Sequence, residues 1–215
     1  MSHRTNHEDP LPRVYLISGG RSETDGGEAF LEQLRHLPPA RACMVQIREK
    51  QLGPEELLAL ARRASKAALP EGSLLLVNTH ADIARAAGLH GVHLPESAYL
   101  PDLSPAFVPD LVTGCSAHSA GSARAAQEAG ADFVLFGPVF DTPSKRPYGP
   151  PQGLDSLARV CRATSLPVFA VGGITPDNTP ACLDAGAYGI AGISAFRDGA
   201  GLAETIERFY RALTR

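Results

Sequence analysis

No run of about 18 consecutive apolar residues occurs in the chain, so it offers no candidate for a helix that crosses a bilayer. The opening MSHRTNHEDPLPR is polar and lacks the apolar core of a secretory signal; residues 1–13 read as a short disordered leader, followed by one domain over 14–215. An excess of basic residues is also missing. With 20 Lys and Arg against 23 Asp and Glu, a net charge of -3 and no Lys/Arg cluster, there is no footprint for a phosphodiester backbone, which excludes a nucleic-acid partner. Cysteine is scarce: Cys43, Cys115, Cys161 and Cys182 stand far apart, with no CxxC or Cys/His spacing for zinc. They read as small apolar side chains buried in a reducing cytosol, and a cytoplasmic protein without a membrane partner is the expectation. No linker or low-complexity tract divides the 215 residues, which suit one domain.

What the chain does contain is an alternation. Short apolar runs rich in β-branched and aromatic residues occur at VYLIS (14–18), ACMVQI (42–47), SLLLV (73–77), GVHL (91–94), LVTGC (111–115), FVLFG (133–137), PVFAVG (167–172) and YGIAGI (188–193). Helical segments lie between them. PEELLALARRASKAAL opens on Pro54 in a first turn, ADIARAAG and SARAAQEAG end on glycines suited to a left-handed C-terminal position, and LAETIERFYRAL places Leu202, Ile206, Phe209 and Leu213 on one face. After the fourth strand, PESAYLPDLSPAFVPD holds four prolines and predicts a short or missing helix. Eight strands, apolar along their whole length and alternating with helices, predict a single-domain α/β fold, a (β/α)8 TIM barrel; an open doubly wound sheet is the alternative.

Barrel enzymes carry their chemistry at the carboxyl ends of the strands. Those ends hold Gln46, Arg48 and Lys50; Asn78; His93 and Glu96; Ser116 and His118; Thr142, Ser144 and Lys145; Gly172 and Gly173; and Ile193 and Ser194. Loops after strands 7 and 8 can offer backbone N–H groups to a phosphate, for which Gly172, Gly173, Ile193 and Ser194 are placed; the glycines could equally do no more than make a tight turn. In VQIREK a strand continued past Ile47 would put Gln46, Arg48 and Lys50 on one side, an arrangement that calls for an anionic or hydrogen-bonding ligand; a strand ending at Ile47 would leave the charges in solvent. The loop TPSKRPYGPPQG could be a lid or a rigid spacer. For His118, within GCSAHS, a catalytic base, a metal ligand with His93 or His80, and a packed or capping residue remain open.

VYLIS, VQIREK, LLVN with GVHL, GCSAHS, AGADFVLFGPVFDTPSK, PVFAVGGI and AGAYGIAGISA, in this order, resemble the thiamine phosphate synthase and TenI family of barrels from residue 14 onward. The resemblance implies one of two activities. Synthases of the family couple hydroxymethylpyrimidine diphosphate to thiazole phosphate with Mg²⁺, and TenI-like proteins are thiazole tautomerases that aromatise carboxythiazole phosphate. It also implies substrate contacts from Gln46, Arg48, Lys50, Asn78, Ser116, Thr142, Ser144 and Lys145.

Synthases carry an Asn-Asp pair after strand 3 and a further Asp after the GVHL-like strand. Here the chain reads Asn78-Thr79 and HLPESAYLPD. Asp82 falls within a helix and Asp102 within the proline-rich stretch, which leaves Glu96 as the one substitute ligand, a poor Mg²⁺ site by itself. The tautomerase needs no metal, and His118 matches the histidine of the TenI-like SxHS motif. The leading expectation is therefore a TenI-like thiazole tautomerase with no cofactor and a phosphorylated thiazole as partner. In it His118 shuttles the proton, Arg48 or Lys50 faces the substrate carboxylate, and no residue ligates a metal. Thiamine phosphate synthase, with Mg²⁺, and a non-catalytic binding paralogue are the alternatives. A homodimer through apolar helix faces is compatible with such a barrel.

Overall fold

In the computed structural model, which describes residues 10–20, 25–98, 110–143, 146–197 and 199–214, eight parallel strands close on themselves in chain order. They are β1 (Val14–Ile17), β2 (Met44–Ile47), β3 (Leu74–Asn78), β4 (Gly91–Leu94), β5 (Val112–Ala117), β6 (Phe133–Phe136), β7 (Val168–Val171) and β8 (Gly189–Gly192). β8 pairs with β1 through Val14 and Ile190, so the sheet has no open edge and the doubly wound alternative is excluded.

The helices are α1 (Glu28–Arg35), α2 (Pro54–Ala64), α3 (Ala81–Ala87), α4 (Ala120–Glu128), α5 (Gly153–Ala163), α6 (Thr179–Asp184) and α7 (Leu202–Leu213). Pro54 starts α2, and the Gly53 N–H donates to Glu56 at 2.9 Å, supplying one of the N-terminal hydrogen bonds a helix cannot make for itself. α3 ends on Gly88 in the left-handed region, as its sequence predicts. After β4 the chain makes a 3-10 turn, Glu96–Ala98; residues 99–109, on which the expectation of a short or missing helix falls, are outside the described set.

Strand alternation divides the apolar residues into two layers. Val14 and Leu16, Val45 and Ile47, and Val92 and Leu94 point outward and are buried beneath the helices with Leu57, Ile206 and Phe209. Tyr15, Ile17, Met44, Leu76, Val112, Phe133, Leu135 and Phe169 point inward and fill the barrel. Phe133 lies edge-on to Tyr15 and Phe169, with ring centroids 5.6 and 5.4 Å apart, an arrangement favoured by aromatic quadrupoles. These rings plug the lower barrel and leave the upper end to polar side chains.

Several boundaries depart from expectation, three of them for a visible reason. β5 runs to Ala117 rather than stopping at Cys115, because Ser116 and Ala117 pair with Leu135 and Phe136 of β6. α2 ends at Ala64 rather than Leu69; Lys66 and Ala67 donate to carbonyls three residues back, tightening the last turn out of α geometry. α4 begins at Ala120, two residues ahead of the expected Ser122, because Ser119 caps it.

Candidate active site

A cavity of about 520 Å³ opens at the carboxyl ends of the strands, and its lining follows the inward parity of the sheet. β1 contributes Ile17 and then Gly19, β2 Gln46 and then Arg48, β3 Asn78, β4 His93 and β5 Ser116 and then His118. β6 adds Leu135 and Gly137, β7 Val171 and Gly173, and β8 Ala191 and Ile193. Thr142, Gly172 and Ser194 also line it, so these expected site residues share one space.

Lys50 does not belong to this set. β2 ends at Ile47 and the chain bends after Arg48, so Lys50 is exposed and lines a separate groove with Glu49, Thr79 and His80. The alternation thus carries the expected grouping of Gln46, Arg48 and Lys50 through Arg48 and fails one step later. Ser144 and Lys145 lie outside the described residues, as does Asp102.

Polar contacts on the floor run in a chain. The Tyr15 hydroxyl donates to Gln46 Oε1 at 3.2 Å, Gln46 Nε2 donates to Asn78 Oδ1 at 3.0 Å, and Asn78 Nδ2 donates to Thr79 Oγ1 at 2.8 Å. Each link sets the orientation of the next amide. His93, 3% exposed, has Nε2 2.9 Å from Ser116 Oγ, while its Nδ1 has no hydrogen-bond partner among the described residues. Burial, with a smaller contribution from the Arg48 charge, lowers its pKa to about 3, so His93 is neutral at physiological pH.

His118 occupies the rim. Its backbone N–H donates to Ser122 Oγ at 3.1 Å, and Ser119 and Ser122 cap each other: the Ser122 N–H donates to Ser119 Oγ and the Ser119 N–H to Ser122 Oγ, each at 3.0 Å. The loop that presents the imidazole is thereby tied to the first turn of α4. The ring is turned to the cavity, with Nδ1 3.3 Å from the Gly137 carbonyl and Nε2 3.9 Å from Glu96 Oε2, a buried oxygen with no hydrogen-bond partner among the described residues. A carbonyl oxygen only accepts, so this contact requires the proton on Nδ1 and makes Nε2 the basic nitrogen.

Gly172 and Gly173 have φ of 93° and 65°, conformations that disfavour any side chain. A Cβ on Gly172 would sit 2.6 Å from Pro138 Cα, and one on Gly173 2.6 Å from the Asp141 carbonyl oxygen. Turn geometry and the close approach of the loop after β6 therefore account for both glycines whether or not an anion binds beside them.

A family model described as thiamine monophosphate synthase matches residues 14–196. The chain belongs to this family. It is 42% identical over 186 residues to "Putative thiamine-phosphate synthase 2" of Aquifex aeolicus (strain VF5), covering 86% of this chain and 98% of the other. It is 38% identical over 189 residues to the thiamine-phosphate synthase of Koribacter versatilis (strain Ellin345), covering 86% and 88%. Thiamine phosphate pyrophosphorylase from Pyrococcus furiosus superposes with a TM-score of 0.74 at 26% identity, covering 94% of this chain and 95% of that one.

Among the described residues, the donor set of this thiamine monophosphate synthase family member does not by itself suit a protein-held Mg²⁺. Asn78 Oδ1 already accepts from Gln46, Thr79 stands in the neighbouring groove, and Glu96 is one carboxylate facing an imidazole. No group of three His, Cys, Asp or Glu side chains gathers among the described residues, and His80, a conceivable partner for His118, lines the other groove. One carboxylate makes a poor Mg²⁺ site unless substrate phosphates supply the other oxygen ligands.

Arg197 is the charged cavity residue that sequence reasoning missed. It follows the AGISA motif by two positions and belongs to no strand end, and the local sequence carries no signal that would have singled it out.

Proposed function

We propose that the protein is a TenI-like thiazole tautomerase that aromatises carboxythiazole phosphate without a metal. One observation carries this reading: the His118 imidazole lines the cavity with Nδ1 committed to the Gly137 carbonyl and Nε2 beside the Glu96 carboxylate. The loops after β7 and β8, through Gly172, Gly173, Ile193 and Ser194, hold the substrate phosphate by backbone N–H groups and a hydroxyl, and Thr142 closes the same side. Gln46, Asn78 and Ser116 orient the ring from the floor, and Arg48 faces the carboxylate.

His118 Nε2 then removes the proton from C2 of the dihydrothiazole. Electrons move through the ring system toward the exocyclic ethylidene, and the imidazolium, stabilised by Glu96, returns the proton to the exocyclic carbon. One proton leaves and one is delivered, so the step needs no other reactant.

The names of the relatives favour a second reading, thiamine phosphate synthase. One experiment separates the two. The purified protein and its His118→Asn variant are offered carboxythiazole tautomer phosphate, followed by ultraviolet absorbance, and separately hydroxymethylpyrimidine diphosphate with thiazole phosphate, followed by pyrophosphate release, each with and without Mg²⁺. The tautomerase reading expects metal-independent aromatisation whose kcat falls by about 10²–10⁴ in His118→Asn with KM little changed. Pyrophosphate release that depends on Mg²⁺, without aromatisation, establishes the synthase instead. Absence of both leaves a binding protein.

A further inference from the structure

The side chains that line the cavity carry an unbalanced charge. Arg48 and Arg197 are its two permanently charged residues, and no carboxylate lines it among the described residues. Neither guanidinium is held in an ion pair with a described residue. Glu49, next to Arg48, turns the other way: it is buried and accepts from the Gly20 N–H at 3.2 Å. Burial pulls the Arg48 guanidinium down from its ordinary value, against the opposing effect of the Glu49 charge.

Barrel closure places both cations on one cavity. Arg48 follows β2, Arg197 follows β8, and both strands pair with β1, whose following loop contains Gly19. A Cβ on Gly19 would sit 3.4 Å from Arg197 Nε and 3.8 Å from one of its terminal nitrogens, so the guanidinium lies directly against the backbone of that loop. Arg197 leaves a fixed base. The 3-10 turn Ser194–Phe196 is held by the Phe196 ring, 1% exposed and 5.3 Å from Phe209, and by Gln33 Nε2, which donates to the Phe196 carbonyl at 2.6 Å.

We infer that Arg197 and Arg48 form a second anion subsite across the β1 loop, one that binds a carboxylate on the phosphorylated ligand and selects carboxylated over carboxyl-free ligands. A planar guanidinium presents N–H donors in a fork that matches the two oxygens of a carboxylate; Arg48 is half-buried, where an anion offsets the cost of a desolvated cation, and the exposed Arg197 adds a second fork to the same cavity. The order around the mouth suits such a ligand: glycine loops at β7 and β8, guanidinium groups flanking β1, and His118 after β5. The inference rests on the reading of the substrate as a carboxythiazole phosphate, and it moves the expected role of Lys50 to Arg197.

Calorimetry tests it without turnover, using aromatic carboxythiazole phosphate, the same thiazole phosphate without its carboxylate, and the intact protein. The expected result is a preference of tenfold or more for the carboxylated compound, reduced about ten- to hundredfold by Arg197→Gln while the carboxyl-free compound keeps its affinity within about twofold. Arg197→Lys, which keeps the charge and loses the fork, falls between.

Equal loss for both compounds makes Arg197 part of the phosphate cradle and overturns the inference, as does a wild-type protein that shows no preference or an Arg197→Gln variant that keeps it. Because the readout is affinity, a protein with the expected pattern that fails to aromatise substrate retains the subsite and loses the tautomerase.

Discussion

His93 shows how one residue ties the site to stability. Its ring is packed near Tyr15 and Phe133, with centroids 6.1 and 6.0 Å away, and burial depresses its pKa from the ordinary 6.5 to about 3. Between these values the unfolded chain binds a proton that the folded protein excludes. Stability therefore falls as pH drops from 6.5 toward 3, by about 2 kcal/mol at pH 5 for a shift of this size. Urea midpoints measured across pH 4.5–7 check it: His93→Gln should flatten the dependence by about one proton, and an unchanged slope would show that His93 is not the group responsible. At this scale the sequence was legible in part. Gln46, Arg48, Asn78, Ser116 and His118 reach the cavity as strand ends predict, because the side-chain period of two sets their direction before any packing is known. Whether His118 pairs with a carboxylate was not legible, since Glu96 reaches it only through the placement of β4 beside β5.

Among the elements, α4 has the most direct bearing on function. Ser122 is buried, accepts N–H bonds from both His118 and Ser119, and starts the helix from within its first turn. Ser122→Ala should cost about 1 kcal/mol of stability, as loss of a cap does, and lower kcat about ten- to hundredfold through misplacement of the imidazole while KM stays near its original value. A rise in KM with kcat unchanged would place the loss in binding and remove Ser122 as a positioning residue. The sequence suggested this helix from its alanine-rich run but missed the reciprocal serine cap, and with it the true start. The end of β5 was missed for a related reason. Ser116 and Ala117 have weak intrinsic preference for a strand and are strand only because β6 lies alongside to pair with them.

At the scale of the whole molecule, the barrel depends on inward-facing glycines that make room for rings. A Cβ on Gly114 would stand 2.1 Å from Phe133 Cζ, and Phe133 cannot retreat because Tyr15 and Phe169 pack against it. Gly114→Ala should destabilise the fold by about 1–3 kcal/mol in thermal unfolding, and the double variant with Phe133→Leu should recover part of that loss. Strictly additive losses would show that the two residues do not share the space.

The alternation of strand and helix, the inward parity of the strand ends and the small residues at the β7 and β8 turns belong to the sequence alone, because periodicity, propensity and backbone freedom act over a few residues. Closure decided the rest. It set Arg197 against Gly19, turned Lys50 out to a neighbouring groove, brought Glu96 to His118 and made Phe133 the reason for Gly114. These contacts join residues that are distant in the chain, and they exist only once eight strands have packed around a common interior.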